Sequence, residues 1–127
     1  MTVLSFKKEF APAVENKTKV QTIRKARKRP IKPGEKLQLY TGMRTKQCRK
    51  LHNAICTSVA SITIKVKFFK TGDCICLIHI NGNFLDEEET EQFAKDNGFN
   101  DVVSFAEFFE TEDNSIFEGQ LIKWSFK

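Results

Sequence analysis

Between Lys17 and Gly34 the chain has no acidic residue, and nowhere does it hold the roughly twenty consecutive apolar residues that a bilayer-spanning helix needs. A membrane role therefore has no support. An apolar leader is also missing at the start, which points to a cytoplasmic chain. Four cysteines are present, Cys48, Cys56, Cys74 and Cys76, and no two of them form a Cys-x-x-Cys pair. Spaced zinc knuckles are thus not supported, and reduced thiols are expected. Cys48 and His52 could meet one turn apart on a helix, and Cys74 and Cys76 on one side of a strand. A thiol serving as a small buried apolar group is the simpler reading, so no metal and no other cofactor is implied.

Internal repeats and low-complexity tails are absent too, and what remains has the composition of a globular protein. Of its 127 residues 40% are hydrophobic and twelve are phenylalanine, more rings than a disordered chain would carry. One domain spanning residues 1–127 is expected. Nothing in the pattern sets an oligomeric state.

Charge is distributed unevenly. Residues 1–50 hold fifteen Lys and Arg against Glu9, Glu15 and Glu35, a balance of +12, whereas residues 51–127 hold six against thirteen acids, a balance of −7. Clustered cations release counterions when they neutralise phosphates, so the first half suits an anionic partner. The densest stretch contains Lys17, Lys19, Arg24, Lys25, Arg27, Lys28, Arg29 and Lys32, with Thr22-Ile23-Arg24 at its centre. A second basic patch follows at Arg44, Lys46, Arg49 and Lys50. If the two flank one groove, their fields add; a solvated basic loop is the alternative.

Periodicity sets out the elements. Thr2 to Phe6 favours a strand, and Phe6, Phe10 and Val14 recur at helical spacing, with Pro12 suited to the first turn of a short helix ending near Asn16. Lys36 to Tyr40 alternates as a strand with Leu37 and Leu39 inward, and Ile55 to Phe69 alternates as a half-buried one. Cys74 to Ile80 is apolar enough to predict a central strand covered on both faces, with His79 a hydrogen-bonded core residue. Asp86 caps a helix that stops at Gly98; Ser104, spaced to Glu107 as a capping box, starts another. Phe117 to Phe126 closes the chain as a strand, with Ile122, Trp124 and Phe126 on one face. These elements predict an α+β domain, a mixed sheet or small barrel with helices beside it.

Phe6 and Phe10, the segment Lys19 to Arg24 (KVQTIR), the Lys32-Pro33-Gly34-Glu35 turn before Leu37 and Leu39, and later Phe93-Ala94 and Asn97-Gly98-Phe99 together resemble the ASCH domain, a branch of the PUA-like superfamily. The resemblance covers nearly the whole chain. Leu39 to Leu51 is similar to small ASCH proteins of bacteria and their phages. The resemblance implies a small PUA-like β-barrel of about five to six strands with short flanking helices, and a cleft beside the Thr-Ile-Arg segment for RNA or a modified nucleoside.

One branch of that family removes the acyl group from N4-acetylcytidine with a lysine, a threonine three residues later and a downstream glutamate. By position these imply Lys19 as base and Thr22 as nucleophile, while the glutamate falls at or near Asn97, with Asp96 beside it as the substitute. A threonine hydroxyl needs such a base, and nearby cations plus burial favour a neutral lysine. The expected glycine before the motif reads Lys17, leaving Asn16 to manage the turn.

The leading expectation is therefore a nucleic-acid-binding module for RNA or a modified nucleotide. Arg24, Lys25, Arg27, Lys28, Arg29 and Lys32 supply phosphate contacts, Arg44 and Lys46 extend them, and Tyr40 offers a ring for base stacking. Amidohydrolase activity at Lys19, Thr22 and Asp96 is the alternative. A third class is a protein-interaction domain whose basic face docks on an acidic surface.

Overall fold

The computed structural model describes residues 2–110 and 116–126. It is a mixed α+β fold in which strands of an open sheet predominate and the helices are few and short. In chain order the elements are β1 (Thr2–Phe6), α1 (Ala11–Glu15), β2 (Gln21–Lys25), β3 (Lys36–Thr41), β4 (Arg49–Phe68), β5 (Cys74–Ile80), β6 (Asn83–Phe84), α2 (Glu87–Asp96), α3 (Val102–Phe109) and β7 (Phe117–Phe126). Among the described residues no helix is long and apolar enough to cross a membrane.

The chain divides into two compact units, one of residues 1–22, 29–59 and 122–127, the other of residues 23–28 and 60–121. In the first unit β1 runs parallel to β3, and β3 pairs antiparallel with the start of β4 through a bulge between Leu39 and Tyr40. Alternation decides the buried face of β1 and β3, Leu4, Phe6, Leu37 and Leu39, and the bulge brings both Leu51 and Ala54 of β4 into the same core with Val14, Ile122 and Trp124. Pro12 lies in the first turn of α1, where its missing N–H costs nothing, and the helix ends at Glu15.

In the second unit the later part of β4 pairs antiparallel with β5 from Ile62↔Ile80 to Phe68↔Cys74. Ile62, Ile64, Val66 and Ile78 face Phe93, Ala94, Phe105, Ala106 and Phe109 from α2 and α3, and edge-on ring contacts such as Phe99 to Phe105 at 5.2 Å fill the space between. Asp86 and Glu89 form the reciprocal capping box of α2, with Asp86 Oδ1 accepting from Glu89 N at 2.8 Å.

Four local expectations need correction. The apolar run Cys74 to Ile80 is covered on one face only: Ile75 and Leu77 are 44% and 45% exposed. Its composition reflects an open sheet face, which periodicity alone does not distinguish from a buried one. His79 is accordingly half-buried, its Nδ1 within 3.3 Å of Thr63 Oγ1 and its ring against Phe84. The helix assigned to Ser104 begins earlier, because Asp101 Oδ1 accepts from Ser104 N at 2.8 Å and an aspartate is the stronger cap. Cys48 and His52 share no helix: Cys48 lies in an exposed loop and His52 on β4, its ring 5.0 Å from that of Phe126.

Candidate nucleic-acid interface

The two units differ in sign. The first contains thirteen Lys and Arg against Glu9, Glu15 and Glu35, a formal +10; the second contains eight against thirteen acids, a formal −5. This division is less sharp than the one between the sequence halves, because the four bases of residues 23–28 fall in the second unit while only Lys123 and Lys127 are added to the first.

In the first unit Arg29 and Lys32 are exposed on a loop that is anchored at both ends of its turn. Ile31, only 3% exposed, drops into the core between them. Gly34 N donates to Cys56 O at 2.8 Å and Cys56 N to Glu35 O at 2.9 Å, so the turn is fastened to β4. Gly34 sits at φ 89°, a conformation that a side chain would disfavour. Ile31 belongs to no periodic pattern; its one signal in the sequence is that of a single apolar residue within a cationic run.

Arg44 and Lys46 extend into solvent from the second basic segment, in a loop that is bonded to itself. Thr45 Oγ1 donates to Gly42 O at 2.6 Å, and Cys48 N donates to Thr45 O at 3.2 Å. A Cβ on Gly42 would stand 2.6 Å from Gln47 O, which explains the glycine. Arg49 is paired with Glu15, an acid distant in sequence, so it contributes less to the cationic field than its neighbours. Tyr40 is half-buried at the bulge, opposite Ser5 on β1 and Lys50 on β4.

The Thr-Ile-Arg neighbourhood is partly in each unit. Lys19, Gln21 and Thr22 are buried at 4%, 7% and 6% exposure, three of the five buried polar or charged side chains among the described residues. The Lys19 ammonium stands 5.3 Å from the centroid of Phe10, an attraction a lysine base would have to give up. The turn before it is made by Lys17, which takes φ 67° itself, while Asn16 keeps φ −87° and accepts from Thr18 N and Oγ1. The expectation that Asn16 would bear the turn is corrected to that extent.

Arg24, Lys25, Arg27 and Lys28 belong to the second unit. Arg24 is half-buried on β2, and burial, then the like charge of Arg27, pull its guanidinium down to about 10. Lys25, Arg27 and Lys28 are exposed.

Asp96 and Asn97 also lie in the second unit, at the end of α2. Asn97 is 2% exposed and donates from Nδ2 to Phe93 O at 2.8 Å, the work of a helix terminator. Asp96 is exposed and accepts from Gln92 Nε2 at 2.9 Å. Among the described residues no group of three or more His, Cys, Asp or Glu side chains is placed to hold a metal ion. No protein-family model, curated protein or solved structure matches the chain.

Proposed function

We propose that this protein is a nucleic-acid-binding module of PUA-like, ASCH type that takes RNA or a modified nucleotide. The observation that carries the reading is the +10 unit, in which Arg29, Lys32, Arg44, Lys46 and Lys50 are exposed and Glu15, one of its three acids, is already engaged by Arg49. Phosphates are the natural counterpart of such a surface, and anchoring by Ile31 lowers the entropy lost on binding. Arg24, desolvated beside Arg27, adds a guanidinium suited to a phosphate or a base edge. Tyr40 supplies a ring for stacking.

The test is a titration of labelled single-stranded mixed-sequence RNA at several salt concentrations. Arg29→Gln, Lys32→Gln and Lys46→Gln should each weaken binding by a similar step and lower the salt slope by about 0.7 per lost contact. Unchanged affinity and slope in the triple variant would leave this surface as a solvated loop.

A second reading is favoured by one specific observation, the burial of Lys19 and Thr22 within four residues. In it the protein is an amidohydrolase of N4-acetylcytidine-type nucleosides, with Lys19 the base and Thr22 the nucleophile. Cytidine and acetate released by the wild type, and lost in Thr22→Val, would replace simple binding with this reading.

A further inference from the structure

The acidic unit carries an unfinished sheet edge. Asn81 and Gly82 form a two-residue turn with φ 49° and 83°, and β6 pairs with β5 only at Ile80↔Asn83 and His79↔Phe84. Leu85 N still donates to Ile78 O at 3.1 Å, after which the chain departs into α2. In that hairpin register the N–H and C=O groups of Ile80, Ile78, Cys76 and Cys74 point away from β4. Among the described residues, no strand pairs with Cys74 to Leu77 on that side.

Natural proteins blunt such an edge with charge, proline or a covering loop, and this edge has none of these on its own strand. Instead it is flanked by surfaces of two kinds. On one face Ile75 and Leu77 are exposed. On the other a groove of about 720 Å³ lies between the edge and the helices, lined by Cys74, Cys76, Leu85 and Val102 and by the carboxylates Glu87, Glu88 and Glu91.

We propose that the Cys74 to Leu77 edge of β5 takes up an extended basic peptide segment of a partner protein by strand addition. Main-chain bonds to Cys74 and Cys76 hold the segment, and alternate side chains face opposite sides. Those directed into the groove are lysine or arginine, opposite Glu87, Glu88 and Glu91; those directed the other way are apolar, over Ile75 and Leu77. Four residues of edge correspond to about 14 Å of strand, so a hexapeptide suffices. The thiols serve as groove lining, since burial pushes Cys76 up to about 11 and leaves it protonated at neutral pH. The site is independent of the cationic surface of the first unit, and its failure would leave the nucleic-acid reading untouched.

The experiment is an amide-shift titration of the full labelled chain with acetyl-Lys-Val-Lys-Val-Lys-Val-amide, and with the same peptide carrying Glu in place of Lys. Expected are shifts at Cys74, Cys76 and Ile78, at least tenfold slower hydrogen exchange at the Cys74 and Cys76 amides, and no response to the acidic peptide. Glu88→Gln/Glu91→Gln, which spares the Asp86–Glu89 cap, should weaken binding about tenfold with an unchanged unfolding midpoint. The proposal is overturned if the lysine peptide leaves these amides unmoved or if both peptides act alike. It is equally overturned if dilution without peptide deprotects the edge, because the occupant is then a second copy of the chain.

Discussion

The ammonium of Lys19 stands 5.3 Å from the centre of the Phe10 ring, on a lysine that is only 4% exposed. A cation held this far from water needs a favourable partner, and a desolvated ring face supplies about 2 kcal/mol. The relationship ties a residue two positions before β2 to the residue just before α1, so it stabilises the segment between them as well as the charge.

Phe10→Leu should therefore destabilise the protein by about 2 kcal/mol, ring contact and lost area together. In a Lys19→Met background, where the apolar stem remains but the charge does not, the same change should cost about 1 kcal/mol less. Urea unfolding of the four proteins of this double-mutant cycle measures the difference. Additive effects would show that the ring serves only as packing.

At Lys17 the backbone takes a left-handed conformation that glycine adopts without strain and lysine does not. Lys17→Gly should raise stability by about 1 kcal/mol, read as a higher denaturation midpoint with the slope unchanged. A lower midpoint would mean that the Lys17 ammonium, 5.8 Å from the Phe126 ring centre, is worth more than the backbone strain.

The same turn shows what the sequence made legible. Pro12 located α1 because its ring restricts where a helix can hold it, β-favouring residues located β1, and alternation located β3 and β7 because one face of each meets a core. β2 carried no such signal. Gln21 and Thr22 are buried together, so the polar and apolar residues there do not alternate. Nor does composition separate Ile75 and Leu77, exposed, from Ile62 and Ile64, buried, since the difference lies in which elements cover each face. The cationic residues were plain, but their division between two units depends on which strands bring the ends of the chain together. Arg49 lost weight for a similar reason: Glu15 lies 34 residues away.

The cysteines provide a pH-dependent readout. Burial, then the neighbouring Cys74, raise Cys76 from 9.0 to about 11, so the folded state retains a proton that the unfolded chain gives up. The sign follows from that excess: the contribution is complete below pH 9 and stability falls as pH rises from 9 towards 11. At pH 8 roughly one Cys76 thiol in a thousand is ionised. Iodoacetamide at that pH should thus modify the exposed Cys48 first and leave Cys76 last with the buried Cys56, as resolved by mass spectrometry of quenched digests. Early labelling of Cys76 would contradict its protected state.

Gly119 on β7 lies against the backbone of β2. A Cβ there would collide with the Arg24 carbonyl oxygen and stand 2.9 Å from a ring carbon of Phe117, and neither the backbone nor a packed ring gives way cheaply. Gly119→Ala should cost about 1–3 kcal/mol, the range for overpacking a well-filled site, with amide shifts concentrated at Arg24, Lys25 and Ala26, whose N–H donates to Glu118 O at 3.4 Å. It should also weaken RNA binding, because the strand that moves is the one that sets the half-buried guanidinium of Arg24. Arg24→Gln separates the two effects: it removes the guanidinium while leaving Gly119 and the β2 backbone as they are, so affinity should fall without the amide shifts at Lys25 and Ala26. If Gly119→Ala loses stability but binds RNA as the wild type does, Arg24 plays no part in the interface, and the phosphate contacts lie with Arg29, Lys32 and Lys46 of the first unit.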